Sequence, residues 1–156
     1  MFESMMMNNN QQITPLNILF ADDDVDDRFF FEKALREIPI ASNLSTVIDG
    51  EQLMDYLSEN VAQLPDVLFL DLSMPRKSGF ECLSEIRENI KLKDMPVVMY
   101  STSYTSDKNY EESMIDVLYK MGAQGFIRKP GDFEKLKQVI HEELVKIFEK
   151  NHSIEK

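Results

Sequence analysis

Short apolar runs alternate with longer amphipathic stretches along most of the chain. The apolar runs that we predict to be strands are residues 16–21, 44–48, 67–70, 96–100 and 125–128. Apolar residues recur at helical spacing between and after these runs, and they predict helices at residues 25–38, 50–60, 78–90, 106–121 and 132–147. In the third helix, Ser78-Gly79-Phe80-Glu81 predicts a capping box, and Ile90 is predicted to lie on the apolar face. The predicted apolar face of the first helix consists of Val25, Phe29, Phe30, Ala34, Leu35 and Ile38. Repeated strand–helix units form parallel sheets with helices on both faces, so the pattern predicts a doubly wound α/β fold. The strand runs are continuous rather than alternating, which is typical of strands buried on both faces.

The length of 156 residues suits one domain, which we expect to span residues 15–148. Residues 1–14 are rich in Met, Asn and Gln without apolar periodicity, and we expect them to form a disordered tail. Residues 149–156 are mostly polar and are expected to form a C-terminal tail. The sequence predicts no linker and no second domain, so we expect a stand-alone module.

The chain is strongly acidic, with 17 Lys and Arg residues against 28 Asp and Glu residues and a net charge of −11. This charge argues against non-specific binding to nucleic acid or to an anionic membrane. No apolar run approaches the roughly 20 residues that span a bilayer, and the N-terminus lacks the features of a secretion signal. The single cysteine, Cys82, excludes an intramolecular disulfide. We therefore expect a cytoplasmic protein.

Chemically reactive side chains follow four of the predicted strands. Asp22 and Asp23 follow the first strand, Asp71 follows the third, Ser101 the fourth and Lys129 the fifth. The carboxyl ends of parallel strands meet at one edge of a sheet, and strands 1 and 3 are neighbours in the order 2-1-3-4-5. We therefore expect the three carboxylates to converge, with a hydroxyl and an ammonium beside them.

Three converging carboxylates repel one another unless a cation lies among them. Mg²⁺ is the natural choice because it binds hard oxygen ligands, and Mn²⁺ suits similar ligands. A cation at this place would keep Asp71 ionised, and an ionised carboxylate can act as a nucleophile. Ser101 and Lys129 could bind the oxygens of an incoming phosphoryl group. The predicted chemistry is phosphoryl transfer onto Asp71.

The motifs together resemble those of the receiver domain of two-component response regulators. The matching segments are Asp22-Asp23 with Arg28 after the first strand, Asp71-Leu72-Ser73-Met74-Pro75, Ser101 after Val97-Val98-Met99-Tyr100, and Gly125-Phe126-Ile127-Arg128-Lys129-Pro130. Each motif is weak alone, but all four occur in order at the ends of predicted strands. The resemblance covers about residues 15–148 and implies a flavodoxin-like (βα)5 fold with a parallel five-stranded sheet in the order 2-1-3-4-5.

The resemblance implies a role for each acidic residue of the site. Asp71 resembles the phosphoacceptor, which is the residue that becomes phosphorylated. Asp23 and Asp71 resemble direct ligands of Mg²⁺. Asp22 is expected to act on the metal through water, and Ser73 through its backbone carbonyl.

The matched residues of the last two strands are expected to form a switch. Ser101 resembles the hydroxyl that turns toward a new phosphoryl group, and Phe126 resembles the aromatic side chain whose rotamer follows activation. Lys129 resembles the phosphate-binding lysine, and its peptide bond to Pro130 is cis in the family. Thr102 stands where a small residue is common in receivers, and we expect it to narrow access to the phosphoryl group.

The resemblance also implies partner proteins. The phosphoryl donor would be a sensor histidine kinase or a histidine phosphotransfer protein, and a downstream protein would bind the phosphorylated state. Formation of a homodimer is left open. The 28 positions from Ser101 to Lys129 exceed the spacing in short receivers, and in this respect the chain is similar to phytochrome-associated stand-alone receivers.

Other functions fit parts of the same pattern. A haloacid-dehalogenase-like phosphohydrolase would use Asp22 as nucleophile and Asp24 as acid and base, with Ser101 and Lys129 as its next motifs. That family also needs an acidic pair after a later strand, which the sequence lacks. A receiver fold that binds partners without phosphorylation is a second alternative. A flavodoxin-like FMN site is not favoured, because the acidic first loop would repel the phosphate of the cofactor.

Overall fold

The five predicted strands form one parallel sheet. The computed structural model of the protein describes residues 14–102 and 107–153. Its strands are β1 (Leu16–Ala21), β2 (Ser42–Val47), β3 (Val67–Asp71), β4 (Val97–Ser101) and β5 (Gly125–Arg128). Their order is β2-β1-β3-β4-β5, so the predicted flavodoxin-like topology is confirmed.

Five helices follow the strands in turn. They are α1 (Val25–Glu37), α2 (Gly50–Glu59), α3 (Gly79–Glu88), α4 (Lys108–Lys120) and α5 (Phe133–Ser153). Residues 1–13 of the expected N-terminal tail lie outside the described residues, and so do residues 103–106 between β4 and α4. Within the described ranges, no helix combines the length and the apolar character needed to cross a membrane.

Two helices end at places that the sequence periodicity did not indicate. α3 ends before Ile90, and the Ile90 side chain, predicted to lie on the apolar face of this helix, is 80% exposed. Asn89 ends the helix because its side-chain oxygen accepts a hydrogen bond from the backbone N–H of Lys91, which starts a turn. α5 continues to Ser153, past the expected boundary at residue 148, since Glu and Lys are strong helix formers.

The sheet carries a hydrophobic core on each of its faces. On one face, Phe20 and Phe69 pack with apolar residues of α1 and α5. On the other face, Leu19 and Leu70 pack with apolar residues of α2, α3 and α4. Successive residues of a strand point to opposite faces, so a strand covered on both sides needs apolar residues at every position. Each fully buried Leu or Phe side chain stabilises the fold by roughly 1.5 to 3 kcal/mol.

The buried face of α1 includes three of the six residues that the periodicity predicts. Ala34, Leu35 and Ile38 are buried as predicted, but the side chains of Val25, Phe29 and Phe30 are 67%, 54% and 42% exposed. The first position of the buried face is Phe31, which is fully buried. The buried positions follow helical spacing and are Phe31, Ala34, Leu35 and Ile38. Three consecutive Phe residues fit two neighbouring helical stripes, and packing against the sheet selects the one that begins at Phe31.

A cluster of aromatic rings joins α1 to the end of β4. The rings of Phe20 and Phe31 stack with their centroids 4.1 Å apart. The ring of Tyr100 meets both of them edge to face, at 5.1 Å from Phe20 and 5.9 Å from Phe31. Such pairs add to the stability that area burial supplies. Because Tyr100 directly precedes Ser101, the cluster fixes the strand end that carries a predicted site residue.

α3 begins directly beside the end of β3. The predicted capping box is confirmed: the Ser78 hydroxyl accepts from the backbone N–H of Glu81, and the Glu81 carboxylate accepts from the backbone N–H of Ser78. The backbone N–H of Gly79 donates to the carbonyl of Leu72 at 2.9 Å. A Cβ atom on Gly79 would lie 2.3 Å from the backbone carbonyl oxygen of Asp71. Glycine at this position therefore permits the close approach of α3 to the end of β3.

Gly79→Ala is expected to destabilise the fold by roughly 1 to 3 kcal/mol, because the added methyl group would press on the backbone that carries Asp71. Gly131→Ala is the matched control, since a Cβ atom there meets no atom within 4 Å. Urea unfolding followed by circular dichroism measures both variants. Equal stability of the two variants would contradict the close packing of α3 against β3.

Candidate functional site

The predicted functional side chains lie together where the parallel strands end. Asp22 directly follows β1, Asp71 ends β3, Ser101 ends β4 and Lys129 directly follows β5. β1 pairs with β3, and carboxylate oxygens of Asp22, Asp23 and Asp71 lie within 4.8 Å of one another. The structure thus brings three acidic groups and one basic group to one edge of the sheet.

Asp22 is fully buried, and both of its carboxylate oxygens accept hydrogen bonds. Oδ1 accepts from the backbone N–H of Asp24 at 2.9 Å, and Oδ2 accepts from the ammonium of Lys129 at 2.9 Å. The Arg28 guanidinium donates to the backbone carbonyl of Asp22 at 2.7 Å, which ties α1 to the end of β1. Burial raises the pKa of Asp22 to about 6, despite the hydrogen bonds that favour its ionised form.

Asp71 is almost as deeply buried, but its carboxylate makes longer contacts. Its Oδ1 accepts from the backbone N–H of Ser73 at 3.3 Å and lies 3.7 Å from the ammonium of Lys129. Burial, and after it the negative charge of Asp22, raise the pKa of Asp71 to about 7. Without a metal ion, this carboxyl group therefore keeps its proton at pH values where exposed carboxyl groups have lost theirs.

Lys129 contributes the positive charge that the acidic groups share. Its ammonium lies 2.7 Å from the carboxylate of Asp27 and 2.9 Å from that of Asp22. It also lies 4.9 Å from the centre of the Tyr100 ring, which attracts a cation through its π face. Burial by itself lowers the pKa of Lys129, but the hydrogen bonds to Asp27 and Asp22 outweigh it, and the pKa is raised overall. Lys129 is therefore charged throughout the physiological pH range.

Asp27 is the member of this group that sequence reasoning missed. It lies in the first turn of α1, where an acidic residue is ordinarily explained by the helix dipole. Its contact with Lys129 joins residues that are 102 positions apart in the chain. The signal that could have found it is its place one helical turn after Asp23, on a helix that starts at the carboxyl edge of the sheet.

The predicted switch residues lie on β4 and β5. Ser101 is buried, and its hydroxyl donates to the backbone carbonyl of Thr102 at 2.9 Å rather than to an acidic group. Thr102 itself is exposed. Phe126 is half-buried and packs against the core on the α2, α3 and α4 face of the sheet. The Lys129–Pro130 peptide bond is trans, which corrects the cis bond that the resemblance implies; trans is the lower-energy form of most bonds before proline.

The acidic cluster fits a small, hard divalent cation. Asp22, Asp23 and Asp71 offer carboxylate oxygens, the ligand type that Mg²⁺ prefers, within a space that one ion can bridge. Asp23 is exposed, so the water ligands that Mg²⁺ retains have access to the cluster. The loop after Asp71 also brings the backbone of Ser73 against this carboxylate. Within the described residues, Asp22, Asp23 and Asp71 are the carboxylates that could hold such an ion.

Comparison with known proteins identifies the family. The family model for the response regulator receiver domain matches residues 18–141. The probable methanogenesis regulatory protein FilR2 of Methanothrix harundinacea is 29% identical over 131 residues, which are 82% of this chain and 81% of that protein. By this family match, the chain belongs to the response regulator receiver domain family.

Two solved structures of similar proteins extend this result. The phosphorylated cyanobacterial phytochrome response regulator RcpA is 30% identical, with a TM-score of 0.72 over 83% of this chain and 91% of that chain. The Mn²⁺-bound form of response regulator Rcp1 is 27% identical, with a TM-score of 0.69 over 82% of this chain and 91% of that chain. The predicted similarity to phytochrome-associated receivers is therefore confirmed. Proteins of this family act in signalling: receivers take phosphoryl groups from histidine kinases and bind Mg²⁺ or Mn²⁺ at an acidic pocket.

Asp71→Asn is expected to stabilise the metal-free protein near pH 8 by roughly 2 to 4 kcal/mol, since each pKa unit corresponds to about 1.4 kcal/mol. The pKa of Asp71 in the folded state lies above its ordinary value of 3.8, so the unfolded state loses the proton first. The wild type therefore loses stability relative to the variant as the pH rises from about 4 to about 7. Urea unfolding in EDTA across this range measures the difference.

The control for this experiment is Asp55→Asn, which removes an exposed carboxylate from α2. Its effect on stability should be small, because exposed charges are screened by water. A stability difference between wild type and Asp71→Asn that stays constant with pH would contradict the raised pKa of Asp71.

The affinity for Mg²⁺ is expected to fall by at least about tenfold between about pH 8 and about pH 5.5, because protons compete for the ligand oxygens. The competing groups are Asp71 and Asp22, whose pKa values are raised to about 7 and about 6. Isothermal titration calorimetry at the two pH values measures the change. Asp71→Asn should lose most of the affinity and Asp55→Asn should keep it. An affinity that does not change with pH would exclude the buried carboxylates as ligands.

Proposed function

We propose that this receiver accepts a phosphoryl group on Asp71 from the phosphohistidine of a sensor histidine kinase or a histidine phosphotransfer protein. The observation that supports Asp71 is the state of its buried carboxylate, which lies 3.7 Å from Lys129 and whose one hydrogen bond within the described residues is a 3.3 Å bond from Ser73. A nucleophilic oxygen needs a lone pair that is not committed to a close hydrogen bond. Asp22, whose two oxygens accept bonds of 2.9 Å, meets this condition less well.

In this proposal Mg²⁺, or Mn²⁺ in its place, binds directly to Asp23, Asp71 and the backbone carbonyl of Ser73, and through water to Asp22. The convergence of the three carboxylates supports this ligand set. When bound, the ion would neutralise charge on the phosphoryl oxygens and keep Asp71 ionised. The chain itself supplies the arrangement of the ligands, since β1 and β3 carry two of them at adjacent strand ends.

The transfer exchanges one bond to phosphorus for another. A carboxylate oxygen of Asp71 attacks the phosphorus atom, the P–N bond to the imidazole of the donor breaks, and that imidazole nitrogen takes up a proton. Lys129 is close enough to Asp71 to bind a phosphoryl oxygen through its ammonium. Ser101 can bind another oxygen once its hydroxyl leaves the carbonyl of Thr102. The contribution of the protein is positioning and neutralisation of charge.

The Ser101 hydroxyl also provides the conformational switch in this proposal. Ser101 donates to the neutral carbonyl of Thr102 in this structure, and a phosphoryl oxygen would be a charged and therefore stronger acceptor. Phe126 lies on the neighbouring strand, since its register partner in β4 is Met99. We expect its side chain to change position with Ser101, and a downstream partner protein to bind the changed surface. Thr102, exposed beside Ser101, would limit access to the phosphoryl group.

A phosphohydrolase that uses Asp22 and Asp24 is the weaker candidate. Oδ1 of Asp24 caps α1 by accepting from the backbone N–H groups of Asp26 and Asp27, so the orientation of this carboxylate is set by the start of the helix. We therefore propose a cytoplasmic signalling protein that does not turn over a separate substrate.

Incubation with acetyl phosphate and Mg²⁺ is expected to add one phosphoryl group to the wild-type chain. Intact-protein mass spectrometry measures the added mass. The increment should disappear in EDTA, because the charge of the phosphoryl oxygens is then not neutralised, and in Asp71→Asn, because the acceptor oxygen is lost. Asp55→Asn, which removes an exposed carboxylate outside the cluster, should be phosphorylated like the wild type.

Other outcomes of this experiment would contradict the proposal. Release of phosphate without a stable increment, abolished by Asp22→Asn but retained in Asp71→Asn, would indicate the phosphohydrolase. Neither an increment nor phosphate release, in a protein that still binds Mg²⁺, would indicate a receiver fold used only for binding partners.

A further inference from the structure

The ammonium of Lys129 has a closer partner than the residues of the proposed phosphoryl site. It lies 2.7 Å from a carboxylate oxygen of Asp27, 2.9 Å from one of Asp22 and 3.7 Å from one of Asp71. Asp27 belongs to α1 and is neither a proposed metal ligand nor a phosphoryl-binding residue. The nearest of the three acidic partners is therefore the one to which the proposed chemistry gives no role.

The surroundings of this ion pair strengthen it. The Lys129 side chain is only 10% exposed and that of Asp27 is 27% exposed. The ring of Tyr100 lies under the ammonium, and Phe30 and Phe133 line a cavity of about 210 Å³ beside the pair. Charges that are shielded from water by apolar groups attract each other more strongly than exposed charges do. The Lys129 ammonium is therefore most strongly attracted to the side of the site that faces α1.

The position of Asp27 is fixed by the start of α1. Asp24 caps the helix by accepting from the backbone N–H groups of Asp26 and Asp27. Arg28, the next residue, binds the backbone carbonyl of Asp22. The backbone of Asp27 therefore cannot follow the ammonium toward the strand ends without breaking the first turn of the helix. When the ammonium moves, the ion pair must lengthen or break.

We propose that Asp27 is a positioning residue that draws the ammonium of Lys129 away from Asp71 and thereby weakens the binding of a phosphoryl group there. This inference rests on the proposed role of Asp71 as acceptor. A phosphoryl group on Asp71 must compete with Asp27 for the ammonium. Its binding is therefore opposed by the free energy that is needed to weaken the shielded ion pair between Asp27 and Lys129. Asp27 thus biases the receiver toward its unphosphorylated state and raises the level of donor that is needed to switch it.

Beryllofluoride, which mimics a phosphoryl group on a carboxylate, tests this proposal in the presence of Mg²⁺. Titration of the full chain followed by fluorine NMR gives the dissociation constant. Asp27→Asn is expected to bind beryllofluoride at least about threefold more tightly than the wild type, because the competing carboxylate is gone. Asp26→Asn is the matched control: it makes the same charge change at an exposed side chain in the same helical turn and should stay within about twofold of the wild type.

Two further variants separate positioning from a general effect of charge. Asp27→Glu keeps a carboxylate at this position and should return the affinity to within about twofold of the wild type. In a Lys129→Gln background, Asp27→Asn should bring no gain, because there is no ammonium left to release. Thermal unfolding of each variant establishes that the fold is retained.

Several results would overturn the proposal. A gain of equal size in Asp26→Asn, or a gain from Asp27→Asn that persists in the Lys129→Gln background, would mean that negative charge alone repels the anion. Weaker binding by Asp27→Asn than by the wild type would mean that the ion pair assists the site. If the wild type itself binds no beryllofluoride and accepts no phosphoryl group, both proposals fail, whereas failure confined to the Asp27 variants leaves the role of Asp71 intact.

Discussion

Two buried carboxylates at the ends of adjacent strands are the constraint on which the rest of the site depends. Asp22 and Asp71 come together because β1 pairs with β3, and the sheet buries both where water screens their repulsion poorly. Lys129 contacts both carboxylates and offsets part of this repulsion. One ammonium does not balance the three carboxylates of the cluster, so the site retains an affinity for protons or for a divalent cation. That remaining negative charge makes Asp71 responsive to metal binding.

The rest of the fold prevents these groups from moving apart. Apolar side chains on both faces of the sheet hold the strand ends in register, and their burial outweighs the local repulsion in the balance of stability. α3 approaches β3 so closely that a side chain at position 79 would meet the backbone of Asp71. The stacked rings of Phe20 and Phe31, with Tyr100 at their edge, fix the end of β4 in the same way. The unfavourable charge arrangement therefore persists because tight packing surrounds it.

Local sequence patterns predicted the helices and strands well. Long-range contacts determine which side chains of a helix are buried and which residues join the site. The Ser78 capping box and the continuous apolar strands depend on neighbours in the sequence, and they appear where they were predicted. On α1, Ala34, Leu35 and Ile38 are buried as predicted, but Phe31 takes the place predicted for Phe30, because only packing against the sheet distinguishes these two positions. At the site, the order of the strands sufficed to bring Asp22 and Asp71 together. Asp27 was not assigned in this way, because it lies on α1 and the order of the strands predicts only the neighbours of residues at strand ends.

One residue, Lys129, connects four strands and a helix at the site. Lys129 follows β5, its ammonium contacts Asp22 after β1, Asp27 in α1 and Asp71 in β3, and its backbone N–H donates to the carbonyl of Ser101 in β4. Two of the three hydrogens of the ammonium already donate to Asp27 and Asp22, so a new anion at Asp71 shares this one positive charge with two other carboxylates. The contacts of α1 and of the strand ends are thus coupled through one charge. A chemical change at a single carboxylate can therefore alter several elements while the hydrophobic cores on both faces of the sheet stay packed.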